Sequence, residues 1–409
     1  MNYKVFFLSI FIIVLFFPLT SYCDDISEDD DLYYSINTSS DISDIPTINA
    51  RRAIVFDRTS KQIIYGKNEN DICKMASTTK IMSCLVALEN GHLEDVVTIS
   101  AKSASTGGSR LGLSKGDKIT VKDLLYGLMM KSGNDAAVAL AEYIGGSVEN
   151  FANMMNEKAS EIGLKFTHFV TPHGLDDDNH CTTAKELAIL ADYALKNETF
   201  LKIVGTKTYT ITQNGYPKTL NNTNELLGYF EGIYGVKTGF TNGANRCLVT
   251  SCKRGDLDVI CVVLGCDTKK DRTQDSIDLL NYTFKNYSVV DIQSIIEENF
   301  DEWYSLHKNS FYIDKGVSNS LDLGLDYGDF TFFNLPVKNS DINKIEANIT
   351  FTPNFNAPLD KNSTIGIVTL SLDNEPILSI DILNKNYIAK KGFWDYFLYF
   401  FQNYCSFFV

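Results

Sequence analysis

The sequence predicts an α/β chain of the α+β kind, with an antiparallel sheet covered by helices and then a small all-β domain. Three observations lead there. Residues 49–289 begin with strand-like runs, carry a block of helical segments and return to strand-like runs before a closing helix. Residues 290–388 change to alternating apolar and polar runs separated by turn signals. The composition, 44% hydrophobic and 22% charged over 409 residues, is that of a globular chain with room for one large core and a smaller one.

The elements follow in order. Ala53-Ile54-Val55-Phe56 and Gln62-Ile63-Ile64-Tyr65 flank a polar turn and predict a hairpin. Residues 74–91 predict a helix with Ile81, Met82, Leu85, Val86 and Leu88 as its apolar positions and Gly91 as its stop. Further helices are expected at 121–130, 135–144, 148–162 and 184–196, the last with Thr183 as N-cap. A strand returns at 209–211, and a hairpin joins 247–251 to 259–264 through Lys253-Arg254-Gly255-Asp256. A helix at 274–287 closes this region. In the second domain, 347–351, 364–372 and 377–382 alternate like strands, with a turn at Asp373-Asn374-Glu375-Pro376.

The two ends differ from the middle. Lys4, the apolar run 6–17, Pro18 and Ser21-Tyr22-Cys23 predict an export signal over residues 1–23, with an uncleaved anchor as the alternative. Bulky Tyr22 argues against lipid attachment at Cys23. Residues 24–48 are acidic and Ser/Asp-rich, which predicts a linker. Residues 389–409 predict an amphipathic helix that binds a membrane surface. Their polar residues Asp395, Tyr399, Gln402 and Ser406 fall on one stripe among Phe393, Trp394, Phe397, Phe400, Phe401, Phe407 and Phe408.

Composition also excludes. A formal net charge of −14 speaks against a nucleic-acid partner, which needs a basic face. Nine cysteines are present, without C-x-x-C or a metal-like Cys/His spacing, so no metal is expected. Cys84, Cys247 and Cys261 sit in apolar runs, where a thiol behaves as a small core residue. One or two disulfides are the second choice.

Three motifs stand in order: Ser77-Thr78-Thr79-Lys80, Ser132-Gly133-Asn134 and Lys237-Thr238-Gly239. Singly the first two are weak, since S-x-x-K recurs at Ser305 with Lys308 and S-x-N at Ser35 with Asn37. Their setting gives them weight. Ser77 opens a predicted helix with Lys80 one turn on, Ser132 lies between two helices, and Lys237 precedes a strand hairpin. A serine hydroxyl needs a base to become a nucleophile. A lysine serves only if burial or a neighbouring cation, here Lys237, disfavours its ammonium. A lone Ser77 would read as an N-cap and a lone Lys80 as a solvated side chain; the partners change both readings.

Together these motifs resemble those of low-molecular-mass penicillin-binding proteins of the D-alanyl-D-alanine carboxypeptidase type, serine peptidase family S11, over about residues 49–388. The stretch Thr167-His168-Phe169-Val170-Thr171-Pro172-His173-Gly174-Leu175 is similar to a family segment; His168 and His173 are read as structural. The resemblance implies a β-lactamase/transpeptidase-like fold and a seryl acyl-enzyme with no cofactor. It implies a peptidoglycan stem peptide ending in D-Ala-D-Ala as substrate and β-lactams as covalent inhibitors. It makes Ser77 the nucleophile, Lys80 the base, Ser132 a proton relay and Asn134 a ligand of the substrate amide. Lys237, Thr238 and, with them, Gly239 would form the carboxylate side of the cleft, and Phe240 would supply an oxyanion N–H. Arg272 resembles the family arginine that pairs with the carboxylate, or else is a surface arginine. The chain departs from class A β-lactamases in its S-G-N motif and in having Glu157, Glu161 and Glu186 inside predicted helices, which implies slow turnover of β-lactams. A β-lactamase or esterase on the same fold, and an idle wall-binding module, are the competing readings. Fast deacylation would favour the first. Loss of nucleophile or base would favour the second, and this sequence keeps both.

Overall fold

The computed structural model describes residues 45–330 and 333–404. The expected export signal, most of the acidic linker, and Ser406, Phe407 and Phe408 lie outside them.

A five-stranded antiparallel sheet forms the centre of the first region. Its order is Ile63–Lys67, Arg52–Asp57, Leu257–Cys266, Asn245–Arg254, Ile233–Thr241. Strand side chains alternate between faces, and both faces are covered. Ile54, Phe56, Val249, Ile260, Val262 and Leu264 face one core, while Ala53, Val55, Leu248, Val259, Cys261 and Val263 face the other. Helices Lys80–Asn90, Val121–Met130, Asn134–Gly145, Val148–Ile162 and Ala184–Ala194 bury their apolar sides in the first core. Helix Lys269–Asn286 covers the second with Ile277 and Leu280. The helix starts follow from side-chain caps. Thr120, Ser147 and Thr183 each accept a backbone N–H from three residues on, giving orphan donors of the first turn a partner.

The second region holds a four-stranded sheet in the order Leu323–Asp326, Glu375–Asn384, Thr364–Leu372, Ile345–Phe351. A helix, Ile292–His307, packs Ile292, Ile296 and Phe300 into its core. That helix was not expected from the sequence and precedes most strands of the β domain; Asp291 caps it through Gln293 and Ser294 N–H. The expected helix at 74–91 is also corrected. Residues Ala76–Thr79 form a 3₁₀ turn, and the α-helix begins only at Lys80.

At the C-terminus the described part of the expected helix is Phe393–Tyr404. Its described side chains are exposed, Phe393 at 74% and Trp394 at 71%. Among the described residues no helix is long and apolar enough to cross a membrane. Cys84, Cys247, Cys252, Cys261 and Cys266 are buried free thiols, as the sequence suggested for three of them.

Candidate active site

Ser77 stands on the 3₁₀ turn, not on an α-helix. In a 3₁₀ turn residues i and i+3 eclipse, so Lys80 comes directly alongside. Its Nζ lies 2.8 Å from Ser77 Oγ, 2.7 Å from Asn134 Oδ1 and 2.8 Å from the His173 carbonyl. Lys80 is fully buried and Ser77 nearly so. A neutral amine has two N–H donors and one lone pair. Asn134 Oδ1 and the His173 carbonyl only accept, so they claim the two donors, and the lone pair is left facing the Ser77 hydroxyl. The ammonium would instead donate to all three.

Asn134 opens helix Asn134–Gly145, and both ends of its amide are used: Oδ1 meets Lys80, and Nδ2 donates to the Gly107 carbonyl at 2.7 Å. It thus orients Lys80 from within the protein. Ser132 sits at φ +59 in the bend before this helix. Its hydroxyl is buried without a hydrogen-bond partner among the described residues. Asp135, which sequence reasoning missed, holds the bend against a neighbouring loop. Its carboxylate accepts from the N–H groups of Leu111, Gly112 and Leu113 at 2.7, 2.8 and 2.9 Å.

Lys237, Thr238, Gly239 and Phe240 lie on the sheet's edge strand, Ile233–Thr241. Gly239 rests directly on the turn that carries Ser77: a Cβ there would stand 3.1 Å from Ser77 N and 3.2 Å from Thr78 N. Close approach of backbone to backbone explains the glycine. Lys237 is buried, with Nζ 2.9 Å from the Thr238 carbonyl. Thr238 Oγ1 meets Thr223 Oγ1 at 2.8 Å. The half-buried Phe240 ring lies under the Arg246 guanidinium, 3.7 Å from ring centroid to Cζ.

Arg272 is not a surface arginine. It lies buried in helix Lys269–Asn286, ion-paired with Glu225. Burial alone would raise the Glu225 carboxyl, but the Arg272 charge and the Thr273 hydroxyl outweigh it and hold the carboxyl below its ordinary range. The carboxylate beside Arg272 is therefore one of the chain's own.

The loop 171–180 ties the motifs together, and its part was not legible in sequence. Besides the His173 carbonyl on Lys80, Asp176 accepts from Thr241 Oγ1 at 2.7 Å and from Gly243 N–H at 2.8 Å. The edge strand is thereby fastened to the loop that touches Lys80. His173 is pushed down to about 3 by burial, then by the Lys80 charge and His180. It stays neutral beside the lysine. His168 hydrogen-bonds the Asn179 carbonyl through its ring, at 2.9 Å.

Comparison with known proteins fits this arrangement. The sequence model of the D-alanyl-D-alanine carboxypeptidase family, peptidase S11, matches residues 38–268, and that of the penicillin-binding protein 5 C-terminal domain matches 314–390. The D-alanyl-D-alanine carboxypeptidase DacF of Bacillus subtilis is 35% identical over 84% of this chain and 87% of its own length. Among solved structures, the D-alanyl-D-alanine carboxypeptidase DacD from Francisella tularensis has a TM-score of 0.68 at 27% identity, covering 86% of this chain and 97% of that one. Penicillin-binding protein 5 from Haemophilus influenzae has a TM-score of 0.65 at 30% identity, covering 85% and 99%. The chain belongs to the D-alanyl-D-alanine carboxypeptidase family, peptidase S11.

Proposed function

We propose that this serine-type D-Ala-D-Ala carboxypeptidase trims the terminal D-alanine from peptidoglycan stem peptides, with Ser77 as nucleophile and Lys80 as its base. The observation that supports these roles is the threefold environment of Lys80 Nζ, which leaves the neutral amine's lone pair for the Ser77 proton. Ser77 Oγ attacks the carbonyl carbon of the penultimate D-alanine as its proton passes to Lys80. The resulting oxyanion meets the backbone N–H groups of Ser77 and Phe240. The C–N bond then breaks, and the leaving amine takes a proton from Lys80 through Ser132, whose buried hydroxyl has no other partner among the described residues. Water attacks the ester, Lys80 takes its proton, and Ser77 leaves reprotonated.

Lys237 and Thr238 bind the terminal carboxylate. Arg272 joins them when the substrate carboxylate takes the place of Glu225. β-Lactams acylate Ser77 and leave slowly. Glu186 offers no help in deacylation, because its carboxylate is spent on the N–H groups of Lys165 and Phe166.

In this reading residues 1–23 export the chain, and the terminal helix rests on the outer face of the cytoplasmic membrane. As a helix the 17 residues 393–409 would reach about 25 Å, short of a hydrocarbon core of about 30 Å. Exposed Phe393, Trp394, Phe397 and Phe401 suit an in-plane position.

Mass spectrometry of the enzyme treated with penicillin, then with a tripeptide ending in D-Ala-D-Ala, tests the chemistry. A penicilloyl adduct on Ser77 and release of one D-alanine are expected. An adduct on any other serine, Ser305 included, overturns the assignment.

A further inference from the structure

Behind the nucleophile turn runs a hydrogen-bond chain that the reaction scheme leaves unused. It begins at the buried His180. His180 Nδ1 accepts the Val170 N–H at 3.0 Å, with the Thr171 N–H at 3.4 Å. A ring nitrogen that accepts carries no proton, so the neutral imidazole holds its proton on Nε2. Nε2–H then donates to Thr79 Oγ1 at 2.7 Å. The one hydroxyl proton of Thr79 goes to the Ala76 carbonyl at 2.7 Å. Every donor and acceptor in the chain is therefore assigned.

The chain ends where it matters for the reaction. The Ala76 carbonyl and the Ser77 N–H belong to one planar peptide and point in opposite directions. Fixing the carbonyl aims the N–H. The plane also needs holding, because Ala76 sits at φ +49, a region a non-glycine residue keeps only when its surroundings impose it. Gly174 closes the rear: a Cβ there would lie 1.9 Å from the Ala76 carbonyl oxygen. A threonine hydroxyl bonded three residues back is common at helix starts. A second partner that gives it a fixed direction is the added feature here.

We propose that His180 and Thr79 are positioning residues for the oxyanion hole, the chain from Val170 N–H through His180 and Thr79 to the Ala76 carbonyl aiming the Ser77 N–H at the reacting carbonyl oxygen. This rests on the assignment of Ser77 as nucleophile. It concerns neither the attack nor the proton transfer. It concerns the geometry of the donor that meets the oxyanion.

The test uses the full chain and a penicillin carrying ¹³C at its β-lactam carbonyl. Two quantities are read: the acylation rate, and the acyl-ester carbonyl stretch by isotope-edited infrared spectroscopy. Oxyanion-hole donors lower that frequency. Thr79→Val removes the hydroxyl. It should slow acylation by about tenfold to a hundredfold, below the full loss of one oxyanion donor, and move the band to higher frequency. Thr79→Ser keeps the hydroxyl and should restore both. His180→Gln can accept from Val170 N–H and donate to Thr79, and should stay near wild type, whereas His180→Leu should resemble Thr79→Val. If Thr79→Val fails to fold, the His180 pair carries the test alone. An unchanged band in Thr79→Val or His180→Leu overturns the inference, even where the rate or melting temperature falls, since that pattern is merely structural. A wild-type adduct away from Ser77 would sink the nucleophile assignment first. An adduct on Ser77 with unchanged bands sinks only the present inference.

Discussion

Around the Ser77 turn this protein buries polar side chains, Lys80 at 0% and, on the adjoining edge strand, Lys237 at 1% exposure. At its terminal helix it exposes apolar ones, Phe397 at 47% and Phe401 at 58%. Both depart from the usual partition, and each departure has a different remedy. A buried amine loses its hydration and must find partners inside the chain; Lys80 finds Ser77, Asn134 and the His173 carbonyl. An exposed phenylalanine has no remedy inside the chain and needs apolar surface outside it. The first kind of departure is completed by folding and the second only by association. Changes at the turn should therefore alter chemistry and stability, and changes at the helix should alter location alone.

The largest effect is expected at Lys80. Lys80→Arg keeps the charge but does not give up a proton at working pH. It should lower the acylation rate by about 10²–10⁴-fold with little change in the far-ultraviolet circular dichroism spectrum. Normal acylation by penicillin would remove Lys80 as the base.

Next come the buried carboxylates. Asp135→Ala would strand the N–H groups of Leu111, Gly112 and Leu113. Leu111 and Leu113 are buried, and each buried unsatisfied donor costs about 1–3 kcal/mol, so a loss of about 2–6 kcal/mol is expected in urea unfolding. Arg272→Ala would leave the buried Glu225 without its cation, at a cost of about 3 kcal/mol. Arg272→Ala combined with Glu225→Gln should recover most of that. If Arg272 also binds substrate, the recovered double variant still loses more turnover on a free terminal carboxylate than on its amide. Equal losses would confine Arg272 to the fold.

How far this contrast could be read in advance depended on where its partners lie along the chain. The aromatic helix and the S-x-x-K pair are local, and spacing reveals them. Helix Ala184–Ala194 was legible because Thr183 marks its start and apolar positions recur at helical intervals. The 3₁₀ turn was hidden because Ala76 to Lys80 carry no pattern that separates it from the α-helix it joins. Helix Ile292–His307 was missed although Ile292, Ile296 and Phe300 repeat every fourth residue; the strand-prone Val289-Val290 before it and the aromatic Trp303-Tyr304 within it obscured the period. The partners of Lys80 lie 54 and 93 residues away, and one is a main-chain carbonyl that any residue type could supply. No side-chain motif can announce such a contact. His180, Asp176 and Glu225 escaped for the same reason of distance.

Two histidines of the loop 171–180 give the contrast a pH dependence. Burial pushes His180 down from 6.5 to about 4; Lys80 and His168 push the same way, against Asp177 and Asp176. His173, which faces Lys80 and His180, goes down from 6.5 to about 3. The unfolded chain thus binds protons first as pH falls. Stability from these groups is complete above about 6.5 and declines as pH falls toward 4 and then 3. His180→Gln removes one titration. The stability difference between wild type and this variant should shift against wild type by about 1 kcal/mol per pH unit between 6.5 and 4. A difference that stays constant with pH would mean that His180 does not titrate in that window.

The smallest effect on stability belongs to the terminal helix, and that smallness is the point of comparison. Removing residues 390–409 deletes side chains that are exposed over the described helix, so no core is opened. Surface changes of this kind stay within about 0.5 kcal/mol. Lys390 does bridge to Gly316, so a cut after Lys391 isolates the helix from that contact. The truncated enzyme, with residues 1–23 also removed, should melt as the full chain does and release D-alanine from a soluble tripeptide at the same rate. What should change is partition: full-length protein pellets with anionic or neutral vesicles, and the truncated one stays in the supernatant. A truncated protein that still pellets places the anchor elsewhere. One that stays soluble but melts early or loses turnover shows that the aromatic face docks on its own chain, and the contrast with the nucleophile turn then fails.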